Sequence, residues 1–212
     1  MTTFAQAAGF TLLCLSSLCS CGVIVGPIPR QMPINSYLGD SRDLMAVRRV
    51  MVLPFGGDKV PPEYLDSLRR NFISELSAIH RFQIVPLPAT STDSQELLSS
   101  ERRGRVSAKG LVKLGQRYHV DGILLVRVTS FAPYLPPVLG LQVHLISIHS
   151  GITVWAVDST YDAGMEAVRL DLLDYRRGLA PVDSLHEWEM VELSPRMFGR
   201  YVSHRIVSTL RA

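Results

Sequence analysis

The chain has 212 residues, 22 Lys+Arg against 19 Asp+Glu, and a formal net charge of +3. So small a positive excess argues against a nucleic-acid-binding protein, while 47% hydrophobic residues suffice for one ordinary core. All three cysteines, Cys14, Cys19 and Cys21, fall at the start, so the remainder must hold together by packing rather than by disulfides.

Residues 1–29 carry no charged side chain. Within them, Phe10 to Leu18 forms an apolar core with the length of a signal-peptide h-region. It falls short of the ~18–20 apolar residues that span a bilayer. Small residues follow, and Leu18-Cys19-Ser20-Cys21 resembles the lipobox of bacterial lipoproteins. That resemblance implies removal of residues 1–20 as a signal peptide, thioether lipidation of Cys21, and acylation of the new N-terminus by chains such as palmitate. Each buried CH2 of such a chain contributes ~0.8 kcal/mol to membrane attachment. Residues 1–9 lack Lys and Arg, and an uncleaved signal anchor or a plain secretory signal are the competing readings. Gly22 after the cysteine, in place of Asp, points to the outer membrane, with the domain facing the periplasm.

Residues 21–43 then read as the lipidated N-terminus and a flexible tether. Gly22, Gly26, Pro27, Pro29, Pro33, Asn35 and Ser36 interrupt any periodicity there. The domain is expected over 44–212. Arg49-Val-Met-Val-Leu-Pro-Phe55 is a compact apolar run, read as a buried strand ended by Gly56-Gly57. Pro61-Pro62 opens a helix whose Leu65, Leu68, Phe72, Leu76 and Ile79 form one stripe, with Arg69, Arg70 and Glu75 off it. Phe82 to Leu87 is a second strand, and Pro86 assigns it an edge position or an early end. A short helix is expected over Asp93–Arg103, capped by Thr92 with Gln95, and another over Ser107–Tyr118. Ile123 to Thr129 is a strong strand. Phe131 to Val138 reads as an apolar loop broken by three prolines. Leu139 to His149 and Ile152 to Asp158 form a hairpin across Ser150-Gly151. Helices follow over Met165–Arg177 and Pro195–Leu210, the latter with Ser194 as N-cap and Pro195 at the first position.

The elements run β-α-β-α-α-β-β-β-α-α, an α/β (α+β) single domain with a mixed sheet of about five strands. This order resembles the periplasmic domain of the curli-secretion (CsgG-like) lipoproteins and the related lipoproteins of Pel polysaccharide export. The residues that carry the resemblance are Arg49–Phe55, the helix Leu65–Ile79, Arg81-Phe-Gln-Ile-Val85, Leu114–Val126 and the hairpin Val143–Trp155. It spans roughly residues 48–160. The curli channel inserts long hairpins into the outer membrane, and a membrane strand needs ~9–11 residues. The equivalent connection here, Phe131–Val138, is too short and too rich in proline, so a peripheral, ring-forming lipoprotein fits better than a pore.

Candidate chemistry is sparse. The six histidines, His80, His119, His144, His149, His186 and His204, show no metal-ligand spacing on a helix, and His144 and His149 fall on opposite faces of their strand. No metal site or cofactor is expected. Asp121, Asp158 and Asp162 could serve as paired carboxylates on a sugar, although Asp at strand ends is ordinary turn chemistry. No Gly-x-Ser-x-Gly elbow and no phosphate-binding loop occurs. Arg102, Arg103 and Arg105 form a basic cluster, a candidate contact for anionic head groups or an acidic polymer, with a solvated loop as the plainer reading. Phe131, Tyr134, Leu135, Pro136, Pro137 and Val138 mark a candidate subunit or partner interface; the competing reading folds them back over the sheet.

The expected function is therefore non-enzymatic: a membrane-anchored envelope lipoprotein serving as a structural or assembly component, in the export of a polymer or appendage. Its partners would be the membrane, through the N-terminal lipid, and other proteins or copies of itself, with no nucleic acid. The alternative is a periplasmic ligand- or glycan-binding lipoprotein, or a glycan-active one.

Overall fold

The computed structural model describes residues 32–95, 108–179 and 194–211. In chain order these form β1 (Ser36–Leu38), α1 (Ser41–Ala46), β2 (Arg49–Val52) and β3 (Gly56–Gly57). Next come α2 (Pro62–Ala78), β4 (Gln83–Pro86), α3 (Ala108–Tyr118) and β5 (Gly122–Ala132). The chain continues with β6 (Val138–Ser147), β7 (Thr153–Asp162), α4 (Glu166–Leu179) and α5 (Pro195–Ser208). One seven-stranded sheet has the order β1-β7-β6-β5-β2-β4, with β3 beside β5. The result is a mixed α+β domain, as the sequence led us to expect, with more strands than expected.

The sheet divides into two regimes. β2 runs parallel to β4 and β5, so helices must carry the crossovers. β5, β6 and β7 form an antiparallel meander, which short turns suffice to connect. Strand alternation then feeds two cores. Val50, Val52, Leu124, Val126 and Val128 face the larger one with Leu68, Phe72 and Leu76 of α2 and Phe198, Val202 and Ile206 of α5. Met51, Leu53 and Ile123 face the smaller one with Leu111 and Leu114 of α3. A strand covered on both faces reads as a continuous apolar run, which is why Arg49–Phe55 was legible. β4 ends on Pro86 and occupies an edge, so both consequences expected of that proline are met.

Three local expectations are corrected. Residues 36–43, expected within the tether, supply β1 and the start of α1. Ser36, Tyr37 and Leu38 pair with Val157, Ala156 and Trp155, and the Asp40 carboxylate accepts from the Arg42 amide at 2.8 Å as an N-cap. Gly56-Gly57 does not merely end a strand: it pairs with Arg127-Val128 and extends the sheet as β3. The cap expected at Thr92 sits one residue earlier, where Ser91 Oγ accepts from the Ser94 amide at 3.2 Å. The rest of the helix expected there, with Arg102, Arg103 and Arg105, lies outside the described residues, as does Cys21. Ser194 holds the N-cap position of α5, but its side chain makes no capping bond. Among the described residues no helix is long and apolar enough to cross a membrane.

Candidate functional site

The turn between β5 and β6 is the outstanding surface feature. The two strands stay paired to Ala132 and Val138, so the loop is shorter than expected and Phe131, Ala132 and Val138 belong to strands. Phe131 is half-buried, its ring 4.5 Å from that of Tyr64 on α2. Burial pushes the Tyr64 hydroxyl well above its usual range, and that hydroxyl donates to the Pro195 carbonyl at 3.2 Å. Pro137 is buried, and its carbonyl accepts from the Ala163 amide at 3.0 Å. These residues make a fixed base. Above it Tyr134 is 86% exposed and Leu135 57% exposed. Met165, after β7, is 51% exposed. It lies close by, because a Cβ on the preceding Gly164 would sit 3.2 Å from Pro136 Cγ. The six residues singled out in the sequence thus divide: Phe131, Pro137 and Val138 form the base, and Tyr134, Leu135 and Pro136 protrude.

A pocket of about 580 Å³ opens on the same half of the sheet. It lies where β3 continues the line of β2 along β5, past the end of the β2–β4 pairing. Its floor is Phe55, Val60 and Leu65. Arg127 lies on the rim, 2.9 Å from Asp58. Lys59, also on the rim, adopts a left-handed φ of 61°. Sequence reading missed this pocket, since no local pattern records where two strands diverge.

The remaining candidates lie apart. Gly122, next to Asp121, faces Ser147, whereas Asp162 faces Val138 at the other end of β6. About nine residues of strand at ~3.4 Å each, ~30 Å, separate them. Asp158 and Asp162 are about four residues apart along β7, ~13 Å. Asp121 accepts from the Arg48 and Arg49 amides at 3.1 and 2.8 Å, tying the start of β5 to that of β2. Asp162 accepts from the Gly164 amide at 2.8 Å. These carboxylates do not form the pair a glycosidase needs. His149 has left the strand for the turn after β6, 3.8 Å from Asp121. His144 is half-buried on β6, and burial lowers its pKa against the opposing pull of Asp158. His80 and His119 follow helices α2 and α3 with φ of 51° and 50°, so they end helices. No cluster of metal-ligating side chains occurs among the described residues.

Helix stripes also concealed two buried acids. Asp171 on α4, only 3% exposed, accepts from the Tyr201 hydroxyl at 2.7 Å and faces Arg205 Nε across 2.8 Å. Glu75 on α2 lies 2.9 Å from His204 Nδ1 and 3.9 Å from Arg200 Nε. The rings of Tyr175 and His204 meet at a tilt of 45°, their centroids 4.8 Å apart. These contacts fasten α2 and α4 to α5. Buried charges are found paired because an unpaired one is costly.

No protein-family model matches the chain, and no curated protein matches it. Among solved structures, the PelC dodecamer from Paraburkholderia phytofirmans is 14% identical, with 66% of this chain and 88% of that one covered at a TM-score of 0.45. Lipoprotein GNA1162 from Neisseria meningitidis is 15% identical over 65% of this chain and 98% of that one, TM-score 0.40. The LpoB C-terminal domain from Salmonella enterica is 13% identical over 53% of this chain and 81% of that one, TM-score 0.34. At these identities and TM-scores the similarity identifies no residue of the site.

Proposed function

We propose that the protein is an envelope lipoprotein, anchored through lipid on Cys21, whose domain is an assembly component of a system exporting a polymer or an appendage. The exposed Tyr134–Leu135 tip carries the assembly half of this reading. Two large apolar side chains on a proline-flanked, firmly based turn lose little entropy on docking, and aromatic anchors dominate protein interfaces. The charge-free, cysteine-bearing start of the chain supports the anchor. Residues 131, 134–138 are accordingly proposed as interface, and Arg102, Arg103 and Arg105 as a contact for acidic head groups or polymer.

Two measurements test the reading. Mass spectrometry of the protein extracted from membranes is expected to show an acylated N-terminal Cys21; an intact Met1 or an unmodified Cys21 removes the anchor. Native mass spectrometry of the same preparation in mild detergent is expected to show an oligomer or a complex. A strict monomer at high concentration removes the assembly role.

A further inference from the structure

We infer that β1 is a self-pairing edge: the β1 strands of two copies join antiparallel about a two-fold axis at Tyr37, fusing two sheets into one. The contact is distinct from the Tyr134–Leu135 tip. It rests on the reading above only in that anchored copies share a membrane.

β1 pairs with β7 on one side and, among the described residues, with no strand on the other. Two bonds fix the direction of its backbone groups. The Asn35 carbonyl accepts from the Asp158 amide at 3.1 Å, and the Gly39 amide donates to the Val154 carbonyl at 2.9 Å. Alternate residues of an antiparallel ladder face the same neighbour, so Asn35, Tyr37 and Gly39 face β7. Ser36 and Leu38 therefore each direct an N–H and a C=O away from the sheet, and these groups have no partner among the described residues. They lie symmetrically about Tyr37. A second β1, laid antiparallel and centred there, sets Ser36 against Leu38 and Leu38 against Ser36, and every outward group gains a partner. Tyr37 then faces its own copy as a non-hydrogen-bonded pair, the closer kind, with Cα atoms ~4.5 Å apart.

The edge is also unguarded. Edges are commonly blunted by Lys, Pro or a bulge that keeps a second chain from adding. β4, at the opposite edge, ends on Pro86. Ser36–Leu38 has no proline and an unbroken register, and no charged residue occurs from Gln31 to Gly39. Two such edges approach without like-charge repulsion. Tyr37 and Leu38 are 57% and 44% exposed. Met45 on α1 and Ile152 in the β6–β7 turn, 62% and 53% exposed, stand beyond the Leu38 end. Asp43 fastens α1 to that turn, accepting from Ser147 Oγ at 2.7 Å and from Ser150 Oγ. Because both copies use the same patch, the contact is isologous and closes at two. Residues 35–39 of each copy are few beside the ~20–30 residues a side of a standard interface. The pair therefore forms where copies are concentrated, as a shared membrane anchor concentrates them.

The test uses the full-length protein in membranes and, at high concentration, in mild detergent. The chain beyond Cys21 contains no cysteine, so single introduced thiols report against the wild-type control. Tyr37→Cys is expected to give a disulfide-linked pair under mild oxidation, since Cα atoms ~4.5 Å apart suit a disulfide. Ser36→Cys and Leu38→Cys should each link far less alone, and should link to one another when the two chains are mixed. Leu38→Pro removes an outward N–H and leaves the β7 ladder intact. It should raise the concentration for half-pairing at least about tenfold. Tyr37→Lys sets two like charges at the axis and should do the same with an unchanged thermal midpoint, which keeps the comparison sound if the proline variant folds poorly. If Ser36→Cys links to itself as readily as Tyr37→Cys, or Tyr37→Lys pairs like the wild type, the inference falls. A Tyr37→Cys disulfide to a different protein also overturns it, because the edge then serves a foreign strand. An oligomer in native mass spectrometry without the Tyr37→Cys link removes this pairing and leaves the assembly reading. The link together with an unmodified Cys21 removes the anchor and leaves the pairing.

Discussion

At the scale of single residues, the buried acids contribute more than the sequence suggested. Asp171 falls among charged residues on α4, yet it is 3% exposed and holds both Tyr201 and Arg205. Asp171→Ala would leave the Arg205 guanidinium buried without its counter-charge. Breaking such a pair costs about 3–5 kcal/mol. Tyr201→Phe removes only the hydroxyl and should cost about 1.5–3 kcal/mol, the range for hydrogen bonds to charged groups. Urea denaturation of the two variants checks the order; equal losses would show that the hydroxyl, not the ion pair, is the main contact. Asp171 was hidden because a one-dimensional pattern marks an acid as exposed and cannot see a partner thirty residues away on another helix.

At the scale of elements, legibility followed burial. β2, β5, β6 and β7 announced themselves through apolar runs or alternation because one or both of their faces are buried. β1 did not, because all three of its residues are exposed and its pairing is made by backbone alone. Removing it should nevertheless matter. A chain beginning at Leu44 would uncover the backbone of β7 from Trp155 to Val157 as an open edge, a known route to aggregation. Light scattering of that truncated chain, against one beginning at Met32, is expected to show earlier aggregation on heating. The approach of α3 to the sheet was equally invisible in the sequence. A Cβ on Gly115 would lie 2.4 Å from Ile148 Cδ1 and 2.5 Å from Cγ1, so only a glycine lets the helix sit this close. Gly115→Val should destabilise by about 1–3 kcal/mol through overpacking, whereas Lys113→Val, at an exposed position of the same helix, should have a far smaller effect. Thermal denaturation separates the two.

At the scale of the whole molecule, the tyrosines set an alkaline limit. Burial raises Tyr64, Tyr161 and Tyr201 above the usual phenol range, and Asp171 adds to the effect on Tyr201. In the unfolded chain these groups ionise near pH ~10. Stability from their protonated form is therefore complete below that value and declines as pH rises through it, because the unfolded state loses its protons first. The thermal midpoint should thus be insensitive to these groups from pH 7 to 9 and fall from about 10 upward. Tyr201→Phe should flatten that fall; an unchanged slope would show that Tyr201 titrates normally. The overall class, one mixed sheet with helices, was legible because composition and element order constrain layering. The pocket was not, because it forms where β3 continues along β5 past the end of the β2–β4 pairing, a property of four strands together.

The pairing of β1 with β7 has a kinetic consequence. Ser36 meets Val157, 121 positions further along the chain, whereas β5, β6 and β7 meet their neighbours across short turns. Contacts between distant residues form late, since closing the intervening loop is entropically unfavourable until other contacts have shortened it. The N-terminal strand therefore docks onto a meander already built, and is the last part of the sheet to close. A chain held at its beginning by lipid would fold with its free remainder first. The attached end would then be drawn in as the closing step, so that how near the domain rests to its anchor is settled only when folding finishes.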